Sequence, residues 1–156
     1  MKICYLANAE SFHTIKWCNY FKDRGYEIAV ISLGPGKIKG VKVYNFEEKG
    51  IRIRSSLSKF SYLSKVRKIK RILRKEKPDI LHAHYASSYG LLGSLVNYHP
   101  YIISMWGSDV YIFPRKNFIQ KQIIIYNFKK ADYLWSTSRD MAKESSLYTD
   151  KNVLIT

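Results

Sequence analysis

Short unbroken apolar runs alternate along this chain with longer stretches in which apolar residues recur every three or four positions. The runs read as strands buried on both faces, and the longer stretches read as helices that cover them. Residues 2–7 (KICYLA), 26–33 (YEIAVISL) and 101–105 (YIISM) are such runs. Residues 79–84 and 131–136 add two more, 41–46 alternates Val41, Lys42 and Val43, and a seventh strand begins at 152–155. Helices are predicted over 13–24, with Ile15, Cys18 and Phe21 facing inward, and over 60–77, 86–97, 116–130 and 138–146. The helix over 86–97 carries Leu91, Leu92, Leu95 and Val96, and that over 116–130 has a bulky face of Phe118, Ile119, Ile123 and Tyr126.

Punctuation supports these boundaries. Ser11 stands where a helix N-cap belongs, and Gly25 where a left-handed residue closes one. Gly34-Pro35-Gly36 breaks the second strand, and Pro78 and Pro100 precede the fourth and fifth. Residues 47–58 give no readable pattern. Strand-helix alternation of this kind predicts a doubly wound, Rossmann-like parallel sheet with helices on both faces, in strand order 3-2-1-4-5-6. Ligands of such sheets bind beyond the carboxyl ends of the strands. The stretches to watch are therefore Asn8 to His13 after strand one, His84 to Ser88 after strand four, and Trp106 to Asp109 after strand five. The topology predicts that they line one crevice.

Composition narrows the chemistry. The 156 residues suffice for one domain with a real core, and 46% are hydrophobic. Lys and Arg number 27 against 12 Asp and Glu, a formal charge of +15, which implies an anionic partner or a generally basic proteome. Cys4 and Cys18 fall inside a strand and a helix and read as buried thiols of a reducing compartment. No signal peptide is recognisable, and no run approaches a membrane span. The expected location is the cytoplasm, with peripheral contact at the inner face of the membrane. After strand one the sequence is NAESFHT, without a glycine, so neither a dinucleotide fingerprint nor a Walker loop is present.

Four pieces in this order carry a family resemblance: FHTIKWCNYFKDRGYEIAVIS, KPDILHAHYASSYGLLGSL, ISMWGSDVY and ADYLWSTSRDM. Together the chain resembles the N-terminal, acceptor-side domain of a family 4 glycosyltransferase of GT-B fold, over essentially all of residues 1–156. The resemblance implies a single Rossmann-like domain here, with a donor-binding C-terminal domain lying outside this chain. It implies retaining transfer of a sugar from a nucleotide-sugar to a glycan or lipid-linked acceptor, in cell-surface polysaccharide synthesis, with no metal and no other cofactor. The fragment alone would then be inactive. Many members carry a histidine at the end of strand five; here that position is Trp106.

Each candidate has a functional and a structural reading. His82 and His84 share a strand face. As a zinc pair they lack a third and fourth ligand at usable spacing. His84, at the strand's end, is placed to hydrogen-bond an acceptor or phosphate, and His82 reads as a core histidine. His13 opens the first helix, where backbone N–H groups favour an anion, or is simply a surface residue there. Asp109, after Gly107 and Ser108, either orients or deprotonates an acceptor hydroxyl, or caps the next turn. His84 and Asp109 are thus the catalytic candidates, and Asn8, His13, Tyr85, Trp106, Gly107 and Ser108 the substrate-binding ones. His99, before Pro100, reads as structural.

The helix over 60–77 has an apolar face of Tyr62, Leu63, Val66, Ile69 and Leu73, and a cationic one of Lys65, Arg67, Lys68, Arg71, Arg74 and Lys75. Glu76 is its only balancing acid. A solvated surface explains such a stripe, and so does an anionic membrane surface, which attracts each basic residue by ~1 kcal/mol. The competing function is a non-catalytic basic α/β domain that binds nucleic acid or another polyanion. Against it, the charge concentrates on one helix and no aromatic RNA-binding motif is present, so no nucleic acid is expected as a partner.

Overall fold

Seven parallel strands alternate with helices in the computed structural model, which describes residues 1–46 and 58–156, the side chains of 58–63 excepted. The chain divides into two compact units, Met1–Asp79 and Ile80–Thr156.

The first unit runs β1 (Lys2–Leu6), α1 (Phe12–Lys22), β2 (Glu27–Ser32), β3 (Lys42–Asn45) and α2 (Ser58–Glu76). Its strands lie in the order β3-β2-β1, in parallel register that sets Lys2 opposite Glu27 and Ala29 opposite Lys42. Ile3 to Ala7 are buried without a break. Successive strand residues point to opposite faces, so both faces of β1 are covered. Ile3, Tyr5 and Ala7 form one core with Ile28, Val30 and Cys18, against which Ile15, Trp17 and Phe21 of α1 pack. Ser11 is the N-cap of α1, although its hydroxyl makes no capping bond. Gly25 follows the helix at φ 82°, the left-handed conformation its position called for.

Helix α2 buries Val66, Ile69, Ile72 and Leu73, a spacing of three and four that turns one stripe inward. Each such side chain contributes roughly 1.5–3 kcal/mol on burial. Arg67, Lys68, Arg71, Arg74 and Lys75 are exposed and Lys65 is half-buried. Tyr62 and Leu63, and the unread stretch 47–57, lie outside the described residues or side chains. Glu76 corrects the sequence reading. It does not balance the stripe, because it ends α2 on the inward side, buried against Nζ of Lys2 at 2.5 Å and of Lys42 at 2.7 Å. The Tyr44 hydroxyl also donates to it. Hydrogen bonds from Lys2, Lys42 and Tyr44 hold its pKa down at about 2.

The second unit runs β4 (Ile80–His84), α3 (Ser88–Val96), β5 (Tyr101–Ser104), α4 (Ser108–Tyr111), a 3₁₀ turn (Phe113–Arg115), α5 (Phe118–Lys130), β6 (Tyr133–Ser136), α6 (Arg139–Ser145) and β7 (Val153–Ile155). Its strands lie parallel in the order β4-β5-β6-β7. Asn97 closes α3 in the left-handed conformation. Asn117 and Ser138 cap α5 and α6, accepting from the N–H of Gln120 and Met141. Gly93 lets α3 lie against Tyr101, whose ring a Cβ would meet, and Tyr101 donates its hydroxyl to the Gly90 carbonyl at 2.8 Å.

The bulky face of helix α5 is not its buried face. Phe118 and Ile119 are 74% and 71% exposed, and Tyr126 is exposed too. The buried face is Ile124, Asn127 and Phe128, followed by Ala131. Both faces have helical spacing, Ile119, Ile123 and Tyr126 as well as Ile124, Asn127, Phe128 and Ala131, and the bulkier one is not the buried one. The short α4 and the 3₁₀ turn were also not foreseen. The Rossmann-like, doubly wound α/β class was, with order 3-2-1 in the first unit and 4-5-6, extended by β7, in the second.

Candidate functional site

Strands β4 and β5 end side by side in the second unit, with His84 opposite Ser104. Tyr85, just beyond β4, sits at φ 86°. That region is unfavourable for a bulky residue and persists only where surrounding contacts fix it. Four contacts do so. The Tyr85 N–H donates to the Ser104 carbonyl at 2.9 Å, and the Tyr85 carbonyl accepts from the N–H of Gly90 at 3.0 Å. The Ala86 N–H donates to Oδ2 of Asp109 at 2.6 Å, and the Ala86 carbonyl accepts from Nδ2 of Asn127 at 2.9 Å.

The loop after β5 is built around the same carboxylate. Oδ1 of Asp109 accepts from the N–H of Gly107 at 2.8 Å and of Trp106 at 3.1 Å. Gly107 takes φ 120°, which a side chain would resist, and serves as N-cap of α4. Asp109 itself has no exposed surface. Burial pushes its pKa up, and the N–H groups of Ala86, Trp106 and Gly107 pull against that shift. The Tyr85 and Ser108 hydroxyls are hydrogen-bonded to each other across the two loops.

Beneath the loops runs a row of rings. His82 and His84 are 4.8 Å apart between centroids, His84 and Trp106 5.3 Å, and His82 and Trp135 5.1 Å. Nε2 of His82 is 2.8 Å from the Ser104 hydroxyl. Burial, with the neighbouring His84, pushes the His82 pKa well below its ordinary value. His82 is thus a core histidine. His84 is buried as well.

The second unit therefore brings Tyr85, Trp106, Gly107, Ser108 and Asp109 together, as the sequence suggested. It sorts them differently. Tyr85, Trp106, Gly107 and Ser108 reach the surface, whereas His84 and Asp109 are buried. With no exposed oxygen and three N–H donors on it, the Asp109 carboxylate in this geometry holds the loops and does not face a ligand. The short reach of an aspartate two residues after Gly107 folds it back onto its own loop, while α4 itself has no side-chain cap. Asn8 and His13 belong to the first unit. Asn8 is exposed and its Oδ1 accepts from the Glu10 N–H at 3.0 Å; His13 is exposed in the first turn of α1. Among the described residues no three His, Cys, Asp or Glu are grouped to hold a metal ion. Asn127 was missed. Its signal was available: a lone amide on the 124/127/128/131 face of an otherwise apolar stripe.

Residues 2–138 match the model of the family described as glycosyl transferase 4-like. No curated protein matches the chain. Among solved structures, MurG of Acinetobacter baumannii is 14% identical at a TM-score of 0.64, with 99% of this chain and 45% of that one covered. The UDP-GlcNAc 2-epimerase of Neisseria meningitidis, bound to UDP-GlcNAc, is 12% identical at 0.67, covering 100% and 46%. Anabaena Alr3699/HepE, in complex with UDP and glucose, is 14% identical at 0.67, covering 100% and 44%. The chain thus spans less than half the length of these three structures, and at such identity they share its fold alone. The family match over 2–138 and the paired strand ends together make this chain a member of the glycosyl transferase 4-like family, folded as the N-terminal half of a GT-B glycosyltransferase.

Proposed function

We propose that the chain is the acceptor-side half of a retaining glycosyltransferase that moves a sugar from a nucleotide-sugar to a glycan or lipid-linked acceptor. The family match over residues 2–138 carries this reading. The site's chemistry fits it. Tyr85 and Ser108 offer two hydroxyls at the strand ends, groups suited to sugar hydroxyls, and Trp106 offers a ring face beside them. Neither His84 nor Asp109 is exposed as a base. Retaining transfer places little demand on one, since the departing phosphate takes the acceptor proton as the new glycosidic bond forms. The protein's work is then to hold the acceptor hydroxyl in line, a proximity effect. Asn8 and His13 of the first unit are proposed as further substrate contacts.

The exposed stripe of Arg67, Lys68, Arg71, Arg74 and Lys75 on α2 supports a peripheral position on anionic lipid, where a lipid-linked acceptor for polysaccharide synthesis would be reached from the cytoplasm. Among the described residues no helix is long and apolar enough to cross a membrane.

The test is UDP release from UDP-glucose and UDP-N-acetylglucosamine by the full-length protein, with acceptor extracts added. Wild type is expected to turn over at least one donor, and Tyr85→Phe and Ser108→Ala to lower kcat/KM about tenfold each, ~1.4 kcal/mol of transition-state binding. Wild-type protein inert towards both donors with every acceptor would overturn the reading.

A further inference from the structure

Asn127 lies outside the strand-end loops, in the last turn of α5, and is fully buried. Its amide is turned onto the loop after β4, donating to the Ala86 carbonyl at 2.9 Å and reaching the Ser87 carbonyl at 3.4 Å. Those carbonyls belong to the residues that follow the strained Tyr85. One peptide earlier, in the Tyr85–Ala86 unit, the Ala86 N–H is held by Asp109. Ala86 is thus gripped at both its N–H and its C=O by side chains from two different helices, α4 and α5. On the α3 side Gly90 is close by: a Cβ there would be in van der Waals contact with the Tyr85 carbonyl at 3.4 Å and with Nδ2 of Asn127 at 3.5 Å.

An amide is the side chain this position needs. A carboxylate would set its charge against two carbonyl oxygens, and an apolar residue would leave the Ala86 carbonyl without a donor in a dry interior, which is costly, while the Ser87 carbonyl keeps the Leu91 N–H at 2.9 Å. A polar side chain in a core face is otherwise a liability, and here its donors go to the Ala86 and Ser87 carbonyls, which directly follow Tyr85.

We propose that Asn127 is a positioning residue for glycosyl transfer: it locks the Ala86–Ser87 peptide while Asp109 locks the Tyr85–Ala86 peptide, so that Tyr85 keeps its left-handed backbone and its hydroxyl stays on Ser108. This rests on the glycosyltransferase reading for its consequence, but not for the loop geometry. Asn127 touches no substrate; it acts through Tyr85. Binding groups misplaced by about 1 Å lose on the order of a hundredfold in rate.

The experiment uses three full-length proteins: wild type, Asn127→Asp, which keeps the shape and loses both donors, and Phe128→Leu, a core change on the next residue of the same helix. Two readouts are taken. The first needs no substrate: the amide-to-α three-bond coupling of Tyr85 and the amide shifts of Ala86 and Ser87, by NMR. The second is kcat and KM for UDP release from UDP-glucose and UDP-N-acetylglucosamine. Asn127→Asp is expected to move Tyr85 out of the left-handed region and to lower kcat/KM between about tenfold and a hundredfold. Phe128→Leu is expected to lower the melting temperature while leaving both readouts near wild type. An unmoved Tyr85 in folded Asn127→Asp overturns the proposal, and so does a moved Tyr85 with unchanged kcat/KM. If Asn127→Asp does not fold, Asn127→Ser, which keeps one donor, takes its place and is expected to lose about half of the effect on a logarithmic scale; wild-type values in that variant overturn the proposal. Wild type inert towards both donors overturns the glycosyltransferase reading instead, and the NMR readout tells the two failures apart.

Discussion

In the first unit the buried carboxylate is that of Glu76, and charges meet it: two lysine ammonium groups, with the Tyr44 hydroxyl beside them. In the second unit it is that of Asp109, and peptide N–H groups meet it, from Ala86, Trp106 and Gly107. The partners differ because the locations differ. Lys2 and Lys42 are the first residues of β1 and β3, so the Glu76 cluster pins the end of α2 to the amino ends of strands. Ala86 and Trp106 follow the carboxyl ends of β4 and β5, so Asp109 ties two loops at the edge where ligands of such sheets bind. A charge cluster fixes which elements meet. A carboxylate on backbone N–H groups fixes the path of the backbone itself, and with it where Tyr85 and Ser108 stand.

The largest expected loss comes from Asp109→Ala. The buried Ala86 N–H and the half-buried Trp106 and Gly107 N–H groups lose their acceptor at once, at about 1–3 kcal/mol for the first and less for the others, so urea unfolding should show a loss of about 3 kcal/mol. A loss under about 1 kcal/mol would mean that the loops do not depend on the carboxylate, and the contrast with Glu76 would collapse.

Glu76→Gln comes next, and its effect depends on pH. The folded pKa is lowered from 4.5 to about 2. The unfolded chain therefore binds more protons in that window, and the stabilisation is fully present above pH 4.5 and lost as pH falls through about 2. The difference corresponds to about 3 kcal/mol at neutral pH as an upper figure. Wild type and Glu76→Gln should differ at pH 7 and converge near pH 2. A difference independent of pH would assign the loss to packing instead.

The smallest effect on stability is expected for Arg67→Glu, Arg71→Glu and Arg74→Glu combined. These exposed side chains should change unfolding by no more than about 0.5 kcal/mol each. Binding to vesicles containing anionic lipid should be lost, and in the wild type it should weaken with salt. Equal wild-type binding to neutral and anionic vesicles would contradict the role given to α2.

Much of this was legible in the sequence because strand runs and helix spacing are local signals. Seven strands and the strand-end stretches followed from them. What was not legible depended on partners far along the chain. Glu76 looks like part of a basic helix until Lys2, 74 positions earlier, is found beside it. Asp109 looks like an available carboxylate until Ala86, 23 positions earlier, donates to it. The inward face of α5 could not be chosen from spacing alone, since Ile119, Ile123 and Tyr126 repeat as regularly as Ile124, Asn127 and Phe128. Tyr85 gave no warning of its left-handed backbone, since nothing in a tyrosine asks for it.

The most direct test compares Glu76→Gln with Asp109→Asn in the full-length protein, well below both melting temperatures, by kcat/KM for UDP release from the donor that wild type uses. Asparagine keeps the size of Asp109 but turns an amide towards N–H groups that need an acceptor. The account predicts that Glu76→Gln, though less stable, keeps kcat/KM within about twofold of wild type, while Asp109→Asn loses tenfold or more, ~1.4 kcal/mol at least. Full activity in folded Asp109→Asn, or a loss confined to Glu76→Gln, would contradict it.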